Sequence, residues 1–126
     1  MEKNKIQDDN KNNVEHLNPI IQWFMDLIHK NPEKHSDLNF YLQKLDISKT
    51  ALTQLTYKTS GCGPYGIIKE VLASEIANKL VNTEIKIKDL ADIFGFKTTG
   101  NFTRFMRVNT GLSPSKFRAL NCNISV

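Results

Sequence analysis

No stretch of this sequence holds about eighteen consecutive apolar residues, so a membrane-spanning helix is excluded. Cysteine is scarce: Cys62 and Cys122 stand sixty residues apart. Thiols so separated, behind a polar start with no apolar stretch for a signal peptidase, are expected to stay free in a cytoplasmic protein. Neither alternating apolar–polar runs nor an Asn-Gly hairpin signal occurs, which leaves an all-α fold. Catalytic signatures are missing too. There is no Gly-x-Ser-x-Gly, no His-Glu-x-x-His and no paired carboxylate, so an enzyme is not expected. His16, His29 and His35 have no i, i+3 or i, i+4 partner among the histidines and cysteines, so surface positions are expected rather than a metal site. Residues 61–66 match G-x-G-x-x-G in form, but no strand precedes them, and a turn explains Gly61 and Pro64 without a dinucleotide. No cofactor, metal or small-molecule site is expected.

Charge is unevenly placed. Residues 1–60 hold eight lysines against eight acids and balance to zero, whereas residues 61–126 hold six lysines and all three arginines against five acids. Between residues 97 and 118 the five cations Lys97, Arg104, Arg107, Lys116 and Arg118 occur without one acid. A solvated surface helix normally interleaves acids with its bases. A one-sign patch instead attracts a polyanion and holds its phosphates.

Apolar residues recur at helical spacing from Ile20 onward: Ile20, Ile21, Phe24, Leu27 and Ile28, with Pro19 suited to the first turn and Asn31-Pro32 to the stop. Trp23 and Phe24 are expected in the core of this helix. Ser36-Asp37 starts a second helix carrying Leu38, Tyr41, Leu42 and Leu45. After a tight turn, Ser48 is suited to cap a third helix that ends near Ser60-Gly61. There Leu52 and Leu55 point inward, and Lys49, Thr50, Thr53, Gln54 and Tyr57 largely outward. Pro64 opens a long helix with Ile67, Ile68, Val71, Leu72, Ile76 and Leu80 at helical spacing, interrupted at Asn82-Thr83. A short helix with Ile87, Leu90, Ala91 and Phe94 stops at Gly95, where a left-handed turn costs glycine nothing. A helix near 99–109 turns Phe102, Phe105 and Met106 inward, and Pro114 opens a last helix containing Phe117. Twice, then, a short helix, a brief turn and a helix with a polar outer face follow one another. That is the helix-turn-helix arrangement, whose second helix fits the major groove of DNA. The chain divides into a polar arm (1–18), a first unit (19–63), a linker helix (64–82), a second unit (83–121) and a tail (122–126).

The second unit carries Ile87, Leu90-Ala91, Gly95-Phe96, Phe102-x-Arg104, Gly111-x-x-Pro114 and Phe117-Arg118. This run resembles the C-terminal half of the DNA-binding domain of the AraC/XylS family, with Met106 where the family has a second Phe. The first unit resembles it at Ile47, Ser48, Gly61 and Pro64. It departs at Thr56-Tyr57, where a Phe-Lys pair is usual, and in the linker at Leu72 and Ile76, where Arg and Ala are usual. The resemblance covers roughly residues 20–120. It implies sequence-specific binding of double-stranded DNA by recognition helices at about 48–58 and 99–109, one helical turn (about 34 Å) apart.

Base contacts are expected from Lys49, Thr50, Thr53 and Gln54 in the first unit, and from Thr98, Thr99, Gly100, Asn101, Thr103 and Arg104 in the second. Arg104 could fork onto a guanine. Phosphates are expected at Lys58, Lys97, Arg107, Ser115, Lys116 and Arg118, the last helix offering its free N–H groups. RNA polymerase stands as a second candidate partner. Regulators of this kind commonly carry a separate sensing or dimerising domain, for which this chain leaves no room. It is expected to be either a stand-alone member or the C-terminal part of a longer regulator. Two alternatives remain open: a protein–protein adaptor on a degenerate helix-turn-helix scaffold, using Trp23, Phe24 or the outer face of 48–58, and DNA binding by the second unit alone.

Overall fold

Every helix but the one at Ile87–Ile93 begins where the sequence supplies an acceptor or a proline. The computed structural model describes residues 18–121; the rest of the expected arm, with His16, and the tail, with Cys122, lie outside them. Among the described residues there are seven α-helices and no strand: α1 Pro19–Lys30, α2 Leu38–Leu45, α3 Lys49–Ser60, α4 Pro64–Asn82, α5 Ile87–Ile93, α6 Thr99–Thr110 and α7 Pro114–Asn121, with a 3-10 turn Pro32–Lys34 after α1. The side chains of Asn18, Asp37, Ser48 and Thr98 accept hydrogen bonds from the first-turn N–H groups of α1, α2, α3 and α6. Such caps satisfy donors that the helix itself leaves orphaned.

Two apolar cores form, and α4 belongs to both. Ile21, Phe24, Ile28, Leu38, Tyr41, Leu45 and Leu52 pack around Ile67, Ile68 and Val71 from its first half. Leu90, Ala91, Phe94, Phe102 and Met106 pack around Leu72, Ile76 and Leu80 from its second. The linker departures are thereby explained. Leu72 and Ile76 are both buried, so the apolar side chains extend the second core into the linker. Tyr41 is wholly buried with its hydroxyl donating to the Asn31 carbonyl at 2.7 Å. Burial, reinforced by the charges of Glu33 and Asp37, pushes its phenol well above the usual range.

Two expectations are corrected. Trp23 is 48 % exposed rather than part of the core. Ile21, Phe24 and Ile28 form the stripe of α1 that the fold buries, and Trp23 falls on the adjoining stripe with Ile20 and Leu27. His35 is not a surface residue either. Its ring lies on Phe96 with centroids 4.7 Å apart, and its Nε2 is buried without a partner. Burial lowers the pKa of this ring, while a hydrogen bond to the Phe94 backbone offsets part of that shift.

Candidate nucleic-acid interface

The two recognition helices are built on one frame. Ser48 caps α3 and Gly61 ends it at φ 75°; Thr98 caps α6 and Gly111 ends it at φ 83°; each helix has twelve residues. Both turns carry a left-handed residue, Asp46 and Gly95. In both, the next N–H returns to the preceding helix, Ile47 to the Leu42 carbonyl and Phe96 to the Ala91 carbonyl. The second turn is longer by two residues, five (94–98) against three (46–48).

On α3 the buried positions are Leu52 and Thr56, so Lys49, Thr50, Gln54, Tyr57 and Lys58 are exposed and Thr53 is half-buried. Thr56 stands where the related family has an aromatic residue, and it remains satisfied because its hydroxyl donates to the Thr53 carbonyl at 3.0 Å. On α6, Phe102 and Met106 face inward, leaving Thr99, Gly100, Asn101, Arg104 and Arg107 exposed and Thr103 half-buried. Thr98 holds the helix start by accepting from the Asn101 N–H at 3.0 Å. The nearest atom to a Cβ built on Gly100 would be the Thr98 hydroxyl at 3.7 Å, so this glycine leaves the first turn open to a close approach from outside. Lys97, Ser115 and Lys116 are exposed beside these groups, and Ser113 steadies the start of α7 by accepting from the Lys116 N–H at 3.3 Å.

Arg118 does not join the exposed cations. Its Nε donates to the Leu80 carbonyl at 2.9 Å and its second guanidinium nitrogen is buried, so it ties α7 to the last turn of α4 instead of facing a phosphate. The last carbonyls of a helix lack intrahelical donors, and a cation suits that end of the helix dipole. We expect Arg118→Met to lower stability by about 1–2 kcal/mol in a urea titration, while the salt dependence of DNA binding stays unchanged. A shallower salt dependence in this variant would return Arg118 to the phosphate contacts.

Two residues of the linker helix belong to this surface and were not expected there. Lys69 lines a shallow groove of about 300 Å³ together with Asn101, Arg104, Phe105, Val108 and Asn109 of α6. Tyr65, 49 % exposed, lines another with Asp37, Asn39 and Lys49 beside the start of α3. The two are four residues apart and share one exposed stripe of α4, which touches one recognition helix at each end. Their i, i+4 spacing off the buried stripe was the signal in the sequence.

A family model described as a helix-turn-helix domain matches residues 41–120, from α2 to α7. The chain belongs to the AraC-type helix-turn-helix family. Members of this family are DNA-binding transcription regulators and not enzymes. The chain is similar to the lactose operon transcription activator of Staphylococcus xylosus, 25 % identical over 83 % of this chain and 38 % of that protein. It is also similar to the probable transcription factor PqrA of Proteus vulgaris, 24 % identical over 81 % of this chain and 82 % of that protein. It therefore spans about two fifths of the first relative's length and most of the second's. Among solved structures, the C-terminal domain of AraT, a response regulator from Geobacillus stearothermophilus, shares the fold with a TM-score of 0.75 at 23 % identity, covering 86 % of this chain and 90 % of that one. The xylose-binding transcription activator xylR matches with a TM-score of 0.75 at 17 % identity, over 84 % of this chain and 28 % of that one. No helix among the described residues of this AraC-type domain is long and apolar enough to cross a membrane.

Proposed function

We propose that this protein regulates transcription by reading an asymmetric DNA site with α3 and α6 in successive major-groove segments. The observation that carries the reading is the repeated frame: two twelve-residue helices with matching caps and exits, each burying one side and turning a largely polar face outward. On this reading Thr99, Gly100, Asn101, Thr103 and Arg104 meet bases in one block, with Thr98 at the helix start. Lys49, Thr50, Thr53 and Gln54 meet bases in the other. Lys58, Lys97, Arg107, Ser115 and Lys116 hold phosphates, and the linker adds Tyr65 and Lys69 between the blocks. Backbone contacts of this kind set register and affinity, while base contacts set the sequence. The Staphylococcus and Proteus relatives, an operon transcription activator and a probable transcription factor, support regulation as the purpose of the binding. Contact with RNA polymerase is the further step by which a bound regulator would act.

Selection from a randomised duplex library at about 150 mM salt tests this reading. Two enriched blocks about one helical turn apart are expected. A single block would confine reading to one unit, and no enrichment by folded protein would reject sequence-specific binding. Within the second block, Arg104→Ala is expected to cost about 1–3 kcal/mol and to relax the preference at one position. An equal loss on every sequence would make Arg104 a phosphate contact.

A further inference from the structure

The two units touch outside the linker helix. The backbone of the 3-10 turn before α2 lies against Gly95, where a Cβ would stand 2.4 Å from the Glu33 carbonyl oxygen. Only a residue without a side chain allows that approach. Beside it His35 lays its ring on Phe96, and Phe96 in turn packs on Phe102 and Phe105 of α6 with centroids 5.2 and 5.4 Å apart. His35 and Glu33 belong to the first unit; Phe94, Gly95 and Phe96 are the turn of the second. The seam thus runs from the segment ahead of α2 to the base of the second recognition helix.

A linker helix shared by two separate cores is one attachment, about which each unit could rock on its own packing. A second attachment closes a ring and fixes the relative pose. For a protein that must meet two DNA blocks at once, that pose decides which spacing lets both helices seat without distortion. One base pair more or fewer moves the second block by about 3.4 Å and turns it by roughly a tenth of a revolution. We propose that this seam sets the block spacing the protein accepts, with His35 and Gly95 as positioning residues. The proposal rests on both units binding DNA. A fixed pose also removes an ordering cost from binding, since the two helices arrive already spaced.

Two measurements test it. The first needs no DNA. Spin labels at Lys58→Cys and Arg107→Cys, with Cys62 and Cys122 replaced by serine, report the separation of the recognition helices. A single narrow distance is expected in the native background, and a broadened or shifted one in His35→Ala and in Gly95→Ala. Gly95→Ala removes no side chain, so it carries the test if His35→Ala does not fold. Unchanged distributions in the folded variants would overturn the proposal. The second measurement compares the selected site with versions one base pair longer and shorter between the blocks. The native protein is expected to lose about tenfold or more in affinity on the altered spacings. His35→Ala is expected to lose less than about threefold, while its preference within each block stays intact. If the native protein selects two blocks and His35→Ala keeps the same narrow spacing, the role of the seam is overturned while the two-helix reading stands. If the native protein selects one block only, the two-helix reading fails and the spacing role falls with it.

Discussion

Raising salt from about 50 to about 200 mM is expected to weaken the specific complex by roughly a thousandfold. The exposed cations beside the two recognition helices are Lys49, Lys58, Lys69, Lys97, Arg107 and Lys116. If each neutralises a phosphate, the logarithm of affinity falls against the logarithm of salt with a slope of about −5, because each contact releases condensed counterions. Replacing any one of them by alanine should flatten the slope by about one and, for all but Lys49, which is also proposed to meet a base, should leave the selected sequence unchanged. Filter binding or fluorescence anisotropy over that salt range measures it. A slope near −2 would mean that only one unit grips the backbone. A slope near zero would remove the polyanion reading of the basic second half.

The largest single loss of stability is expected from Phe102→Ala. This ring is fully buried in the second core and packs against Phe96. Truncating such a side chain costs about 3–5 kcal/mol, because the void left behind adds to the lost transfer energy. A domain of this size has a total of only about 5–15 kcal/mol to lose. Phe102 points away from the proposed DNA face, yet its immediate neighbours Asn101 and Thr103 are expected base contacts, so specific binding should fall as well. Phe102→Leu keeps most of the volume and should cost well under half as much. Urea unfolding of the two variants, read by far-ultraviolet dichroism, decides the matter. A loss below about 1 kcal/mol for the alanine variant would show that the second core closes over the gap.

Much of the architecture could be read from local signals. Pro19, Ser48, Pro64, Thr98 and Pro114 each stand at a helix start, and Gly61, Gly95 and Gly111 each adopt the left-handed conformation at a turn. These features act within one turn of chain, so neighbouring residues suffice to decide them. Three residues depended on distant partners. The placing of Trp23 depended on which of two adjacent apolar stripes α4 would cover. His35 looked like an isolated surface histidine because Phe96, its partner, lies sixty-one residues further along. Arg118 looked like one more cation in an acid-free run, and its contact with Leu80 spans thirty-eight residues. Periodicity shows that a side chain lies on a face of its helix. It does not show which other element will meet that face. The same limit hid Lys69 and Tyr65, whose importance comes from grooves that only the folded arrangement of α2, α3, α4 and α6 creates.

Folding and reading are written in different letters along α3 and α6. Caps, inward apolar residues and exit glycines carry the first; the outward polar positions are proposed to carry the second and hold almost nothing else in place. On the proposed reading, drift at Thr50, Gln54, Thr99 or Asn101 would therefore retarget the molecule while its stability stays level. A lineage built on this plan is free to multiply its addresses without redesigning its body.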